Sequence, residues 1–145
     1  MADVNKVTAT REANLVPAGT WGNRQTYITT YTSVDLAEND KVYLAKLPAY
    51  VTIDKVKVIS SGTAWGASVT LDVGYEKANP ADTLTADLDA FLDGADVAAN
   101  GVDTYDGAPV TLNVPTFICA TFLSANPAAG GVLTIVIDYI YNGDQ

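Results

Sequence analysis

The chain contains no histidine and a single cysteine, Cys119. Without imidazole, Ser-His-Asp and Cys-His nucleophilic sites are excluded, as is every zinc site that uses a histidine ligand. A lone cysteine cannot close an intrachain disulfide, so packing alone must hold the fold. Cys119 lies in PTFICATFL, where a small buried thiol is expected rather than a reactive one. Positive charge is also scarce: 8 Lys and Arg stand against 17 Asp and Glu, for a net charge of -9. Nucleic acid and anionic membranes both demand clustered cations, so neither is expected as a partner. Lys55 and Lys57 sit close together, a pattern that commonly keeps an exposed strand soluble. No apolar run reaches the length of a membrane helix, and MADVNKVTATREANLV lacks the apolar stretch of a signal peptide. Synthesis in a cytoplasm is the expectation.

What is present is β-strand texture. The 145 residues suit one domain with a sizeable core, and 48% are hydrophobic against 17% charged. In SVTLDVGYE, Val69, Leu71, Val73 and Tyr75 alternate with Ser68, Thr70, Asp72 and Gly74, which predicts a strand with one wet face. QTYITTYT and KVYLAKL read the same way. AYVTIDKVKVIS slips phase between Ile53 and Val56, and a bulge near Asp54 would keep both halves on the core. PVTLNV and PTFICATFL follow, with Pro115 between them at a strand start or an edge. The closing segment VLTIVIDYIY is apolar on both faces, from Leu133, Ile135, Ile137, Tyr139 and Tyr141 on one side to Val132, Val136 and Ile140 on the other. Such a strand belongs in the middle of a sheet or has its outer face covered, with partners from much earlier in the chain flanking it.

These patterns predict an all-β fold: a jelly-roll-like antiparallel β-sandwich of about eight strands over residues 25–145, with an extended amino-terminal arm over residues 1–24. An immunoglobulin-like sandwich is second, without the Cys-Trp-Cys spacing of antibody domains. One short helix is expected in TLTADLDAFLDGAD, where Leu88, Phe91 and Leu92 fall at helical spacing, Thr85 would cap the start and Gly94 the end.

Chemistry is thinly represented. A glycosidase needs carboxylates about 5 Å or about 6.5–9.5 Å apart. Asp72 and Asp138 are the in-strand candidates, yet both are expected to face solvent, and no nucleophile, base and orienting group occur together. No enzyme and no cofactor are therefore expected. Asp82, Asp87, Asp89, Asp93, Asp96, Asp103 and Asp106 crowd one region and raise calcium as a question. The EF-hand spacing is missing, and turn-forming, water-facing aspartates are the commoner use of such a run.

Three side chains are candidate partner contacts. Trp65 sits in the Gly- and Ser-rich connection SSGTAWGAS, where a large ring either folds back over the sandwich or anchors a partner. Trp21 and Arg24, in AGTWGNR, raise the same choice at the end of the arm. A sugar stacking on Trp21 or Trp65 is the alternative use of the same chemistry.

The run TLDVGYE, then DAFLDGADVAANGV, then a Gly-led apolar terminal strand resembles the jelly-roll cement or decoration proteins of tailed bacteriophages, over roughly Asp40 to Asn142. That resemblance implies a virion protein on the outer surface of the capsid, bound to the major capsid protein across subunit joins and stiffening the shell. It implies a small homo-oligomer, dimer or trimer, and carries over no catalytic residue. An arm ordered on contact, repeated over many copies, would add avidity. The competing reading is a carbohydrate-binding or adhesin module of a phage fibre.

Overall fold

A computed structural model describes residues 3–4, 24–34 and 36–143. Ten strands are found among them: β1 (Asp3–Val4), β2 (Arg24–Thr32), β3 (Lys41–Leu47), β4 (Val51–Gly62), β5 (Thr70–Lys77), β6 (Asp87–Asp96), β7 (Gly101–Tyr105), β8 (Val110–Leu112), β9 (Thr116–Leu123) and β10 (Gly131–Tyr141). No helix occurs among the described residues, so none there is long and apolar enough to cross a membrane.

Four antiparallel pairs define the topology: β2 with β10, β3 with β9, β4 with β7, and β5 with β6. The chain is thus a long hairpin of nested pairs, rolled so that successive pairs fall alternately into two sheets. One sheet runs β1-β3-β9-β5-β6 and the other β2-β10-β4-β7, with β8 added beside part of β4. This is a jelly roll, with β1 and β8 as additions to its eight strands. Arg24, expected to end the arm, is the first residue of β2, and Asp3–Val4 pair in parallel with β3.

The terminal strand lies where its composition demands. β10 sits between β2 and β4, bonded along both sides. Leu133, Ile135, Ile137 and Tyr139 are buried between the sheets, and burying each such side chain fully is worth about 1.5–3 kcal/mol. The phase slip in β4 is also a bulge: Asp138 faces Lys55 while Tyr139 faces Ile53, which leaves Asp54 as the extra residue. Val51, Ile53, Val56 and Val58 all reach the core as a result. Cys119 is buried as expected, its thiol 3.7 Å from the carbonyl of Gly74.

The expected helix is a strand instead. β6 pairs with β5 through two register irregularities, so that Val73 faces Leu92 while Tyr75 faces Asp87. The extra residues in β6 put Phe91 in the main core and Leu88 against Tyr43, Phe117 and Cys119 on the other side of the sheet. A bulged strand therefore imitated the spacing of a helical face. Gly94, expected as a helix cap, has φ 65 within β6, and its N–H donates to Asp72 Oδ1 at 2.7 Å. A bulge and a helix cap can both use a left-handed residue, so glycine alone could not distinguish them. Gly74 matters for a different reason: a Cβ there would lie 2.1 Å from the carbonyl oxygen of Asp87, so only glycine lets β6 approach.

Trp65 is a core residue. It is fully buried, and its ring stacks on Phe122 with centroids 5.0 Å apart and planes 18° from parallel. Gly131 makes room, since a Cβ there would come within 2.6 Å of the indole. Of the two uses open to this ring, folding back over the sandwich is the one adopted, and the anchor reading of Trp65 is corrected accordingly. The loop that carries it is exposed at Gly62, Thr63, Ala64, Ala67 and Ser68, while Trp65 turns inward.

Candidate interaction surface

The two sheets differ on their outward sides. On the β3-β9-β5 side, Tyr43, Phe117, Cys119 and Thr121 are buried, and Lys41 is only 6% exposed, with its Nζ 2.8 Å from Glu76 Oε2. The outward side of the β2-β10-β4-β7 sheet is open. Strand alternation leaves Arg24, Thr26, Ile28, Thr30 and Thr32 of β2 exposed on this side, because Tyr27 and Tyr31 take the inward positions.

Cross-strand register assembles the surface row by row. Ile28 lies beside Val136, which lies beside Lys57. The next row is Thr30, Thr134, Ile59 and Val102. Ile28 is 61% exposed and Val102 57%, large values for branched apolar side chains. Between them Val136, Ile59 and Thr134 are half-buried, which makes a shallow apolar and threonine face. Hydroxyls tie neighbouring strands together: Thr26 Oγ1 donates to Asp138 Oδ1 at 2.6 Å, and the Thr52 and Thr111 hydroxyls are 3.0 Å apart. β-branched side chains fixed in this way lose little entropy on contact.

The open face carries mixed charge, with Asp138 beside Lys55. The described basic residues are Arg24, Lys41, Lys46, Lys55, Lys57 and Lys77, and three of them, Arg24, Lys55 and Lys57, belong to this one face. Arg24 pairs with Asp54, the bulge residue, across the corner of the sheet. The acidic residues Asp87, Asp89, Asp93 and Asp96 lie along β6, the outer strand of the opposite sheet, where repeated charge discourages edge-to-edge pairing.

Burial raises the Asp72 carboxyl above its ordinary value of 3.8. The Gly94 N–H opposes this, while the charges of Asp93 and Asp89 add to it. A side-chain hydrogen bond with Asp89 raises Asp87 in the same sense, helped by partial burial and repulsion. Among the described residues, no three acidic or thiol side chains converge to hold a metal ion. Asp96 instead accepts the N–H of Ala98 at 2.9 Å, the turn-forming role open to such residues. Asp72 and Asp138 stand on the outward sides of opposite sheets, so they cannot act on one substrate.

The three candidate contact residues therefore separate. Trp65 is in the core, Arg24 is on the exposed face, and Trp21 lies outside the described residues. Ile28 and Val102 carry no signal in the sequence that singles them out. QTYITTYT places Ile28 opposite the tyrosines, but only the pairing with β10 reveals which set turns outward.

No protein-family model matches the chain, and no curated protein matches it significantly. Solved structures do. A chain in the structure of the capsid of Ralstonia phage GP4 superposes with a TM-score of 0.65 at 18% identity, covering 90% of this chain and 90% of that one. A chain of the cyanophage Pam1 capsid asymmetric unit gives a TM-score of 0.58 at 17% identity, over 84% of this chain and 87% of that one. At such identities the likeness is one of fold, and it extends over nearly the whole of each chain.

Proposed function

We propose that this chain is a virion structural protein: a cement or decoration protein that binds the outer surface of a phage head across capsid-subunit joins and stabilises the shell. The observation that supports it is the near end-to-end likeness to chains of two phage capsid structures, joined to one open, weakly apolar sheet face. In this reading the β2-β10-β4-β7 face, centred on Ile28, Val136, Ile59 and Val102, rests on the major capsid protein. Its three cations favour an acidic or mixed shell surface, and the acidic β6 edge points away. The chain ahead of β2 acts as an arm that extends the contact, and the protein works as a symmetric dimer or trimer. It is not an enzyme. The fibre-adhesin alternative is weakened in its first form, because Trp65 has no ring face to offer a sugar.

Shells lacking the protein, incubated with purified chain and pelleted, test this. Ile28→Asp combined with Val102→Asp introduces two charges on the exposed face without touching the core. Attachment is expected to fall at least tenfold while circular dichroism and thermal unfolding stay near the parent's. Undiminished attachment of the double variant would remove this face from the account.

A further inference from the structure

At the far end of the same sheet lies a hollow of about 480 Å³ lined by Tyr50, Thr52, Thr111, Asn113 and Asn142. Three elements build it: the β3–β4 turn, the pair formed by β4 and β8, and the residue just after β10. Its size falls within the roughly 300–1,000 Å³ typical of small-molecule sites. We propose that this hollow binds a sugar unit of an uncharged glycan.

The lining chemistry selects the ligand. Each of these side chains is polar and neutral: one phenol, two hydroxyls and two carboxamides. Such a set gives an anion or a metal ion no charge to neutralise. It suits a ligand covered in hydroxyls, because Asn and Thr each offer donor and acceptor atoms and every sugar hydroxyl needs both. Tyr50 adds a ring whose face can carry the C–H side of a pyranose while its hydroxyl stays polar.

The hollow is also preorganised. Asn142 Nδ2 donates to Thr52 Oγ1 at 2.8 Å, and Thr52 Oγ1 lies 3.0 Å from Thr111 Oγ1, so amide and hydroxyls form a fixed chain. The floor is ladder backbone, with Thr52 paired to Thr111 on one side and Ile140 on the other. Tyr50 has φ 60, a left-handed conformation uncommon for a bulky residue, and its carbonyl accepts the N–H of Asn142 at 2.8 Å. Strain of this kind persists where surrounding structure enforces it and is commonest at functional sites.

The hollow is offset from the centre of the shell-facing patch. Six residues of β10 separate Ile140, beside the hollow, from Thr134 in the Val102 row, a distance of about 20 Å. The full-length protein should be titrated, with ligand-observed NMR, against methyl glycosides of glucose, galactose and N-acetylglucosamine. In parallel it should be screened against arrays of neutral and sulfated bacterial polysaccharides. Saturable binding to a neutral probe is expected, lost at least tenfold in Asn113→Ala and in Thr111→Val, both at exposed positions. Ile28→Asp should bind the glycan as the parent does, and Asn113→Ala should attach to shells as the parent does. Binding by monosaccharide identifies a single-unit site, and binding by polysaccharide alone identifies a longer chain as the source. No neutral probe bound at millimolar concentration, binding to sulfated probes alone, or affinity unchanged in both variants would each overturn the assignment.

Discussion

At the scale of single residues, the fold turns on a few side chains whose surroundings are unforgiving. Trp65 is the largest fully buried side chain, stacked on Phe122 against a glycine that leaves no spare volume. Trp65→Ala is expected to cost about 3–5 kcal/mol, measured by urea unfolding, by the transfer and cavity contributions common to buried aromatics. Any partner binding lost in that variant should return in step with refolding; binding lost from a fully folded variant would restore Trp65 as an anchor. Asp72 gives a pH-dependent prediction. Its carboxyl holds its proton at higher pH in the folded chain than its ordinary value of 3.8, as does that of Asp87. Folding therefore takes up protons in the window just above that value, so these two groups add stability as pH falls through it and withdraw it as pH rises. Asp72→Asn keeps an acceptor for the Gly94 N–H but removes the charge. The variant is expected to be at least as stable as the parent at neutral pH and to gain less on acidification to about pH 4.5. A variant less stable at neutral pH would contradict that sign.

At the scale of elements, the two most informative strands show what sequence can and cannot convey. β10 is legible because its apolar residues occupy both parities, as expected of a strand inside a sheet, and it is bonded along both edges. The β4 bulge is legible because Ile53 and Val56 break phase once, cleanly, at Asp54. β6 is not legible as a strand. Its two irregularities against β5 convert a period of two into the i, i+3, i+4 spacing of Leu88, Phe91 and Leu92, and local pattern has no access to the partner strand that absorbs the extra residues. Phe91 then bridges the β6 and β7 edges of the sandwich by packing its ring 5.3 Å from Tyr105, a contact between sheets that no local signal carries. The bulge itself can be tested. Gly94 has φ 65 and open space around its missing Cβ, so Gly94→Ala isolates the backbone penalty of about 1–2 kcal/mol. Hydrogen exchange should show the accompanying loosening confined to β6 and its contact with β5. A neutral substitution would mean that the β6 backbone relaxes to another conformation.

At the scale of the whole molecule, the jelly roll produces a block with one closed and one open outer side, the open side carrying three of the six described cations together with Asp138. That asymmetry, more than any single residue, is what a protein lying on a larger surface requires. Composition excludes imidazole-based chemistry, since histidine is absent, and the fold places the in-strand aspartates Asp72 and Asp138 on opposite sheets. Which face binds cannot be read from composition, because outward and inward sets in QTYITTYT look equally β-like until paired. Nor can the hollow at Tyr50 be read, since its residues come from positions 50 to 142 and meet only through the pairing of β4 with β8 and β10. The most direct test of the central claim is electron cryomicroscopy of phage shells bearing this protein. The account predicts density of one jelly roll per copy at regular sites on the outer surface, across subunit joins, with Ile28 and Val136 turned toward the shell. Bare outer surfaces, or the same density on the inner wall, would contradict it.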